Sequence, residues 1–372
     1  MADEELKPMV GTYSPTEDES KLLEKWRKRF KRAKDFREPY RKKWLRMYEL
    51  YRAYQSKTNY AYDTNLMPPI AFEIVETVKP RLASANSLVR ILPRSKEDVN
   101  SPSIEAWENL VQYDLDVTDF EVTKKRDWIN SCLIYGNGIL QVLWETKAEK
   151  DGDPYIEVQD LRLFYPDPEA TSLKDSRFEI VQIFKSKEQI EKEEKERVEM
   201  GFPKLYKNIE YADNKKIIND PRREWNEINT KKMGQIAKGK ANEGESSLVK
   251  LEEEKLELWQ IWDHEKDQLI VIANEGIIIR NEVNPYKHIN DGRVFVDLPD
   301  HSLLWELWAS GHIEIIETMI HEIADSRNQA MDNIVLNLDP IKKVRKDAHL
   351  KAGDLVTEPG AMWELKIGRA HV

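Results

Sequence analysis

The sequence predicts an α+β fold, and three observations carry that prediction. Apolar residues recur at spacings of three and four in several segments, the period of a helix with one buried face. Between residues 139 and 280, short apolar runs separated by turn residues read as antiparallel hairpins. The aromatic content, 11 Trp, 14 Tyr and 9 Phe in 372 residues, is too rich for a disordered chain. The apolar fraction is nevertheless only 40% and the charged fraction 34%. That balance predicts much solvated surface, or parts that gain burial from neighbouring subunits. The length allows two or three domains, or one large irregular one.

Residues 25–46 hold 12 Lys or Arg against Asp35 and Glu38, in a chain whose net charge is −10. Trp26, Phe30, Trp44, Tyr48 and Tyr51 form one apolar stripe on this basic helical segment, which Pro39 is expected to interrupt. Charged helix faces are commonly solvated, so packing is the first reading of this block and nucleic-acid contact the second. After Asn65-Leu66-Met67-Pro68-Pro69-Ile70, residues 71–92 read as a helix that Pro80 kinks or ends. A helix over 103–116 carries Trp107, Leu110 and Tyr113, and another from Phe120 carries Trp128, Cys132 and Tyr135. Gly136-Asn137-Gly138 stops the latter. Strands are predicted at 139–144, 155–158 and 178–184, with a two-proline loop over 163–170. A charged helix spans 187–200, a mobile insertion about 201–250, and a hairpin pairs 256–262 with 268–273. One more short strand follows Gly276, and a long connector leads to the final helix.

That final helix, from His312, is the clearest element. Ile313, Ile316, Ile320, Ile323, Ala330 and Ile334 form a heptad-like packing seam with Arg327 in the remaining slot. Its charged positions are Glu314, Glu317, Glu322, Asp325 and Asp332.

Several functions are excluded or unsupported. No run approaches 18 apolar residues, so no transmembrane helix is expected. Met1-Ala2-Asp3-Glu4-Glu5 is not a secretory leader. The single cysteine, Cys132, allows no disulfide and no Cys-based zinc site, and its apolar helix stripe argues burial over nucleophilicity. The net acidity argues against coating nucleic acid by bulk charge. There is no GxxxxGK[ST] phosphate loop, and Gly136-Asn137-Gly138 precedes a strand, the wrong order for a dinucleotide site. His321 begins an HExxH-like run that ends in Asp325, and His312 lies about 180° from it on a helix. The acidic pairs Asp151/Asp153 and Asp167/Glu169 sit in turns, where Asp more often serves the backbone than a cation. No catalytic, cofactor or metal residues are assigned.

Taken in order, several segments resemble a bacteriophage portal protein, the head-to-tail connector of tailed phages, most closely the portals of short-tailed phages. They are the Asn65–Ile70 break, Val75-Glu76-Thr77-Val78-Lys79-Pro80-Arg81-Leu82, Arg126-Asp127-Trp128 leading to Tyr135-Gly136-Asn137-Gly138-Ile139, and Asp167-Pro168-Glu169-Ala170. The last are Arg327-Asn328-Gln329-Ala330-Met331-Asp332-Asn333 with Pro340 and Pro359-Gly360. The resemblance implies a ring, typically of twelve subunits, around a DNA channel at the virion's portal vertex, assembled in the host cytoplasm. It implies an N-terminal basic and aromatic segment (1–60), a wing domain (61–300), a stem helix (301–336) and a small β-containing clip (337–366). The implied partners are other copies of the chain, double-stranded DNA in transit, the terminase large subunit, a tail adaptor and a capsid or scaffold protein, with no membrane. Glu314, Glu317, Glu322, Asp325 and Asp332 would then face the channel as a DNA-repelling wall. The family's second stem helix and crown are not found, and residues 367–372 resemble a non-native tail. The expectation is a C-terminally truncated portal with a poorly supported stem tip, which does not close rings by itself. Two other readings stay open: a metal-dependent nucleic-acid enzyme using the acidic pairs, and a monomeric nucleic-acid-binding module built on residues 25–46.

Overall fold

The computed structural model describes residues 13–55, 64–84, 89–92, 102–145, 152–217, 220–238 and 254–338. Helix α1 (Glu17–Tyr51) opens on a capping box, with Thr16 accepting from the Glu19 amide and Glu19 from the Thr16 amide. Glu17, Asp18 and Glu19 sit in its first turn, where the helix dipole favours negative charge. The sequence suggested a break at Pro39, yet the helix runs through it. Pro39 and Asp35, whose carbonyl loses its intrahelical partner, both lie on the exposed face, where water can take over the bond.

Among the described residues, nine strands build two antiparallel sheets. They are β1 (Asn137–Glu145), β2 (Asp153–Gln159), β3 (Phe164–Pro166), β4 (Phe178–Lys185), β5 (Lys215–Lys216), β6 (Glu254–Asp263), β7 (Gln268–Ala273), β8 (Ile277–Val283) and β9 (Phe295–Pro299). The small sheet has the order β2-β1-β9. The large one runs β3-β4-β6-β7-β8, with β5 pairing the start of β6. Six further helices are α2 (Ile70–Ala83), α3 (Pro102–Val117), α4 (Lys125–Tyr135), α5 (Lys187–Glu199), α6 (Arg223–Lys238) and α7 (His312–Leu338). A π-helical turn, Phe120–Lys124, leads into α4.

Helix α1 is the spine. At ~1.5 Å per residue its 35 residues span roughly 52 Å, long enough to serve three cores in succession. Leu23, Trp26 and Phe30 pack on the large sheet with Phe178, Trp259 and Ile270. There Phe30 stacks on Trp259 with centroids 4.0 Å apart. Trp44 belongs to the second core with Trp262, Phe295 and Trp308. Met47 and Leu50 join the third, with Val75 of α2, Leu133 of α4, and Ile313 and Ile320 of α7. Among the described residues, six tryptophans are fully buried. Truncating any of them to Ala would cost about 3–5 kcal/mol, so these six serve the core.

Four departures from the sequence reading have local causes. The helix expected over 71–92 ends at Ala83, one turn after Pro80. The two-proline loop contains edge strand β3, and Pro166 closes it, where a missing N–H costs no ladder bond. The polar stretch read as a mobile insertion carries β5 and α6, and α6 is anchored by Trp225 and Ile228, both buried; its remainder, 239–250, lies outside the described residues. The long connector contains β9, whose short run Phe295–Pro299 alternates too briefly to stand out. Asp151, the clip and the C-terminal tail also lie outside the described residues.

The small sheet and α7 meet at a tight backbone crossing. Gly136 ends α4 in the left-handed region with φ 97°. A Cβ there would come within 2.2 Å of the Ala309 carbonyl oxygen. Asn137 accepts from the Ala309 amide (2.7 Å) and donates to the Leu307 carbonyl (3.2 Å). The Gly136-Asn137-Gly138 motif is thus a helix stop that stitches α4, β1 and the lead-in to α7.

Candidate functional site

The basic block of α1 is consumed internally. Lys25 meets Asp263 at 3.2 Å, Arg29 meets Glu265 at 2.6 Å, and Arg41 meets Glu224 at 2.7 Å. Arg32 pairs with Glu169, and Arg27 donates to the Glu275 carbonyl. Lys43 and Arg46 reach Glu314 (3.0 Å) and Glu317 (2.9 Å) of α7. Arg37 is buried and donates to main-chain carbonyls. Eight of the twelve cations therefore have partners off their own helix. Each exposed pair stabilises by only about 0.2–1 kcal/mol, but six of the twelve cations meet carboxylates elsewhere in the chain, which offsets half of the positive charge of the block.

The acidic turn at Asp167 and Glu169 is also occupied. Arg177 pairs with both carboxylates, through Nε and Nη2 on Asp167 and at 2.8 Å on Glu169. A guanidinium thus sits where a catalytic cation would be held. Burial raises the Asp167 carboxyl, but the Arg177 bonds and the Glu169 amide outweigh it and hold Asp167 below the ordinary carboxylate range. A folded-state value below the unfolded one stabilises the protein above about pH 4, and that contribution is lost as pH falls through the folded value. Asp167→Asn is therefore expected to lower stability at pH 7 and to flatten the decline from pH 4 to pH 2, read by urea titrations across that range.

The final helix carries the remaining sequence-assigned residues. Ile313 and Ile320 are buried and Ile316 half-buried against α1, α2 and α4. The intramolecular seam then passes through Ala324 and Asn328 rather than Ile323 and Arg327. A straight helix drifts about 20° per heptad against a strict seven-residue repeat, which moves the buried face one residue on. Asn328 is fully buried and brackets Leu66, accepting its amide (3.0 Å) and donating to its carbonyl (3.1 Å). That contact ties the Asn65–Ile70 break to α7. No sequence periodicity could mark a polar residue in the seam.

The other seam residues, Ile323, Ala330 and Ile334, are exposed. Ile323 extends a ridge with Ile315 and Met319 that no described element covers. Met331, Ile334, Val335 and Leu338, in the last two turns, are exposed as well. Of the five acids, Glu314 and Glu317 face α1, and Asp332 accepts from the Thr64 amide at 3.0 Å. Asp325 is half-buried and Glu322 exposed. Three of the five therefore compensate this chain's own donors, which leaves no row of five uncompensated carboxylates for a repelling wall.

No family model matches the chain, and no curated protein matches it. Two further apolar surfaces stand out. None of the residues of α3 is buried, and its Trp107, Leu110 and Tyr113 stripe lies open. In the approach to α7, Leu304 and Trp305 are 87% and 85% exposed, and Trp305 holds φ 66°. A bulky residue at positive φ is strained by about 1–3 kcal/mol. Cys132 is buried, and burial, with Asp300 as a second cause, pushes its thiol up to about 12, so it is protonated and unreactive at neutral pH. No described helix is long and apolar enough to cross a membrane.

Proposed function

We propose that the chain is a portal subunit of a tailed bacteriophage, an element of a ring that passes double-stranded DNA without acting on it chemically. The observation that carries the reading is the long helix α7. It is held to the body as far as Asp332, in its sixth turn, and carries apolar side chains on two faces that no described element covers. A monomer gains nothing from these uncovered side chains, whereas neighbours in a ring would bury them. Head-to-tail assembly also requires two different surfaces on one chain. The α3 stripe is one, and the α7 ridge with the strained, exposed Trp305 is another. The α1 block, half of whose cations pair with carboxylates elsewhere in the chain, fits a conduit better than a DNA-binding module, because a sliding duplex must not meet a strongly basic strip. Terminase, tail adaptor and capsid or scaffold protein would be the partners of the assembled ring, and the portal vertex of the virion its place.

Sedimentation velocity over a wide concentration range tests the reading. Self-association that the Met319→Glu/Ile323→Glu double variant abolishes is the expected result, with duplex DNA sedimenting apart from the protein at physiological salt. A chain that stays monomeric at every concentration would overturn it. So would magnesium-dependent cleavage of duplex DNA that Asp167→Ala removes.

A further inference from the structure

Asp300, His301 and His312 are distant from any motif, yet the fold places one donor atom of each within 4.8 Å of the others. Both imidazoles turn Nδ1 toward the same oxygen, Oδ2 of Asp300, at 2.5 Å from His312 and 3.3 Å from His301. The two rings lie edge to face with centroids 5.0 Å apart. The backbone fixes this arrangement. His301 and Ser310 exchange main-chain hydrogen bonds of 3.1 and 3.0 Å, closing the intervening loop. The Asp300 amide donates to the Gly136 carbonyl at 2.8 Å. Gly311, just before His312, is packed so that a Cβ would sit 2.9 Å from the Gly136 nitrogen.

We propose that Asp300, His301 and His312 form a binding site for one zinc-type divalent cation, which clamps the end of β9 to the first residue of α7. Two imidazoles and a carboxylate suit zinc and its neighbours, whereas magnesium and calcium prefer all-oxygen shells. With metal–ligand bonds of about 2.0–2.1 Å, tetrahedral donors stand roughly 3.3 Å apart. The His301–Asp300 pair already has that spacing, and the His312–Asp300 pair must open by about 0.8 Å, which side-chain rotation supplies. His301 is half-exposed, which leaves the fourth position to water. The N-terminus of α7 opposes a cation only weakly beside the attraction of a carboxylate and two imidazoles. The site is independent of whether the chain is a portal subunit.

Calorimetric titration of the chelator-stripped full chain with zinc chloride tests it, alongside the visible spectrum with cobalt(II). One equivalent should bind, with a tetrahedral cobalt band and a raised melting temperature. His301→Ala and His312→Ala should each weaken binding by about 100-fold or more, while His321→Ala should leave it intact. His301 lies half-exposed in a loop, so its variant is expected to fold, as far-ultraviolet circular dichroism would confirm. Failure to take up zinc, uptake unchanged in the His301→Ala/His312→Ala variant, or equal uptake of magnesium would each overturn the proposal.

Discussion

Gly136→Ala is expected to destabilise the protein by more than about 4 kcal/mol, in the range that single substitutions reach only through a backbone clash or comparable damage. Two effects add. The left-handed backbone at φ 97° would cost an alanine about 1–2 kcal/mol. The new methyl would also sit 2.2 Å from the Ala309 carbonyl oxygen and 2.8 Å from its carbon, where no side-chain rotation gives relief. Gly201 separates the two effects, because its φ is 87° but no atom lies within 4 Å of the position a methyl would take there. Gly201→Ala should therefore show the conformational cost alone. Urea denaturation followed by tryptophan fluorescence would read both variants, since Trp308 lies next to the crossing. If the two variants differ by less than about 1 kcal/mol, the crossing between β1 and α7 is pliable and the joint is not the rigid element described. Partial detachment of α7 would appear as early proteolysis within 301–338 while the sheets remain folded.

Arg37→Ala is expected to cost about 3 kcal/mol, close to the loss of a core aromatic. Arg37 is 3% exposed. Its Nη1 donates to the carbonyls of Leu161, Arg162 and Phe164 at 2.8–3.1 Å. Its guanidinium carbon lies 3.8 Å from the centroid of the Tyr165 ring. Burial lowers its pKa from the ordinary arginine value, with Tyr165 and Asp160 acting the other way. The cation is held by carbonyl dipoles and a ring face, and removing it leaves those carbonyls converging on an empty space. Arg37→Met keeps the aliphatic packing and removes the donors. Equilibrium unfolding should rank wild type above Arg37→Met, and Arg37→Met above Arg37→Ala. A methionine variant as stable as wild type would mean that desolvating the cation cancels its hydrogen bonds, as happens in some buried ionic groups.

Both positions lie in segments that the sequence singled out, but only part of the role of each was legible there. Gly136 was legible as a helix stop, because glycine after an apolar helical run is the usual left-handed cap. That its hydrogen atom also faces the lead-in to α7 was not legible, since the contact joins residues about 170 positions apart. Arg37 was one of twelve cations in a block that reads the same whether its members are solvated, paired or buried.

The amino-acid sequence by itself determined the local elements. The alternation over residues 178–184, the Gly136 helix stop, the capping residue Thr16 and the long apolar repeat beginning at His312 each encode their structure within one short window, where period and turn chemistry suffice. Tertiary structure decided everything that depends on a partner far along the chain. It carried α1 through Pro39 because three cores hold it. It rotated the α7 seam from Ile323 to Ala324 and from Arg327 to Asn328, because α2 and the backbone of Leu66 meet the helix at that angle. It turned Glu314 and Glu317 toward Lys43 and Arg46. It also gathered Asp300, His301 and His312 through a two-bond bridge between His301 and Ser310. Such contacts come from the packing of whole elements, and no local spacing of residues specifies them.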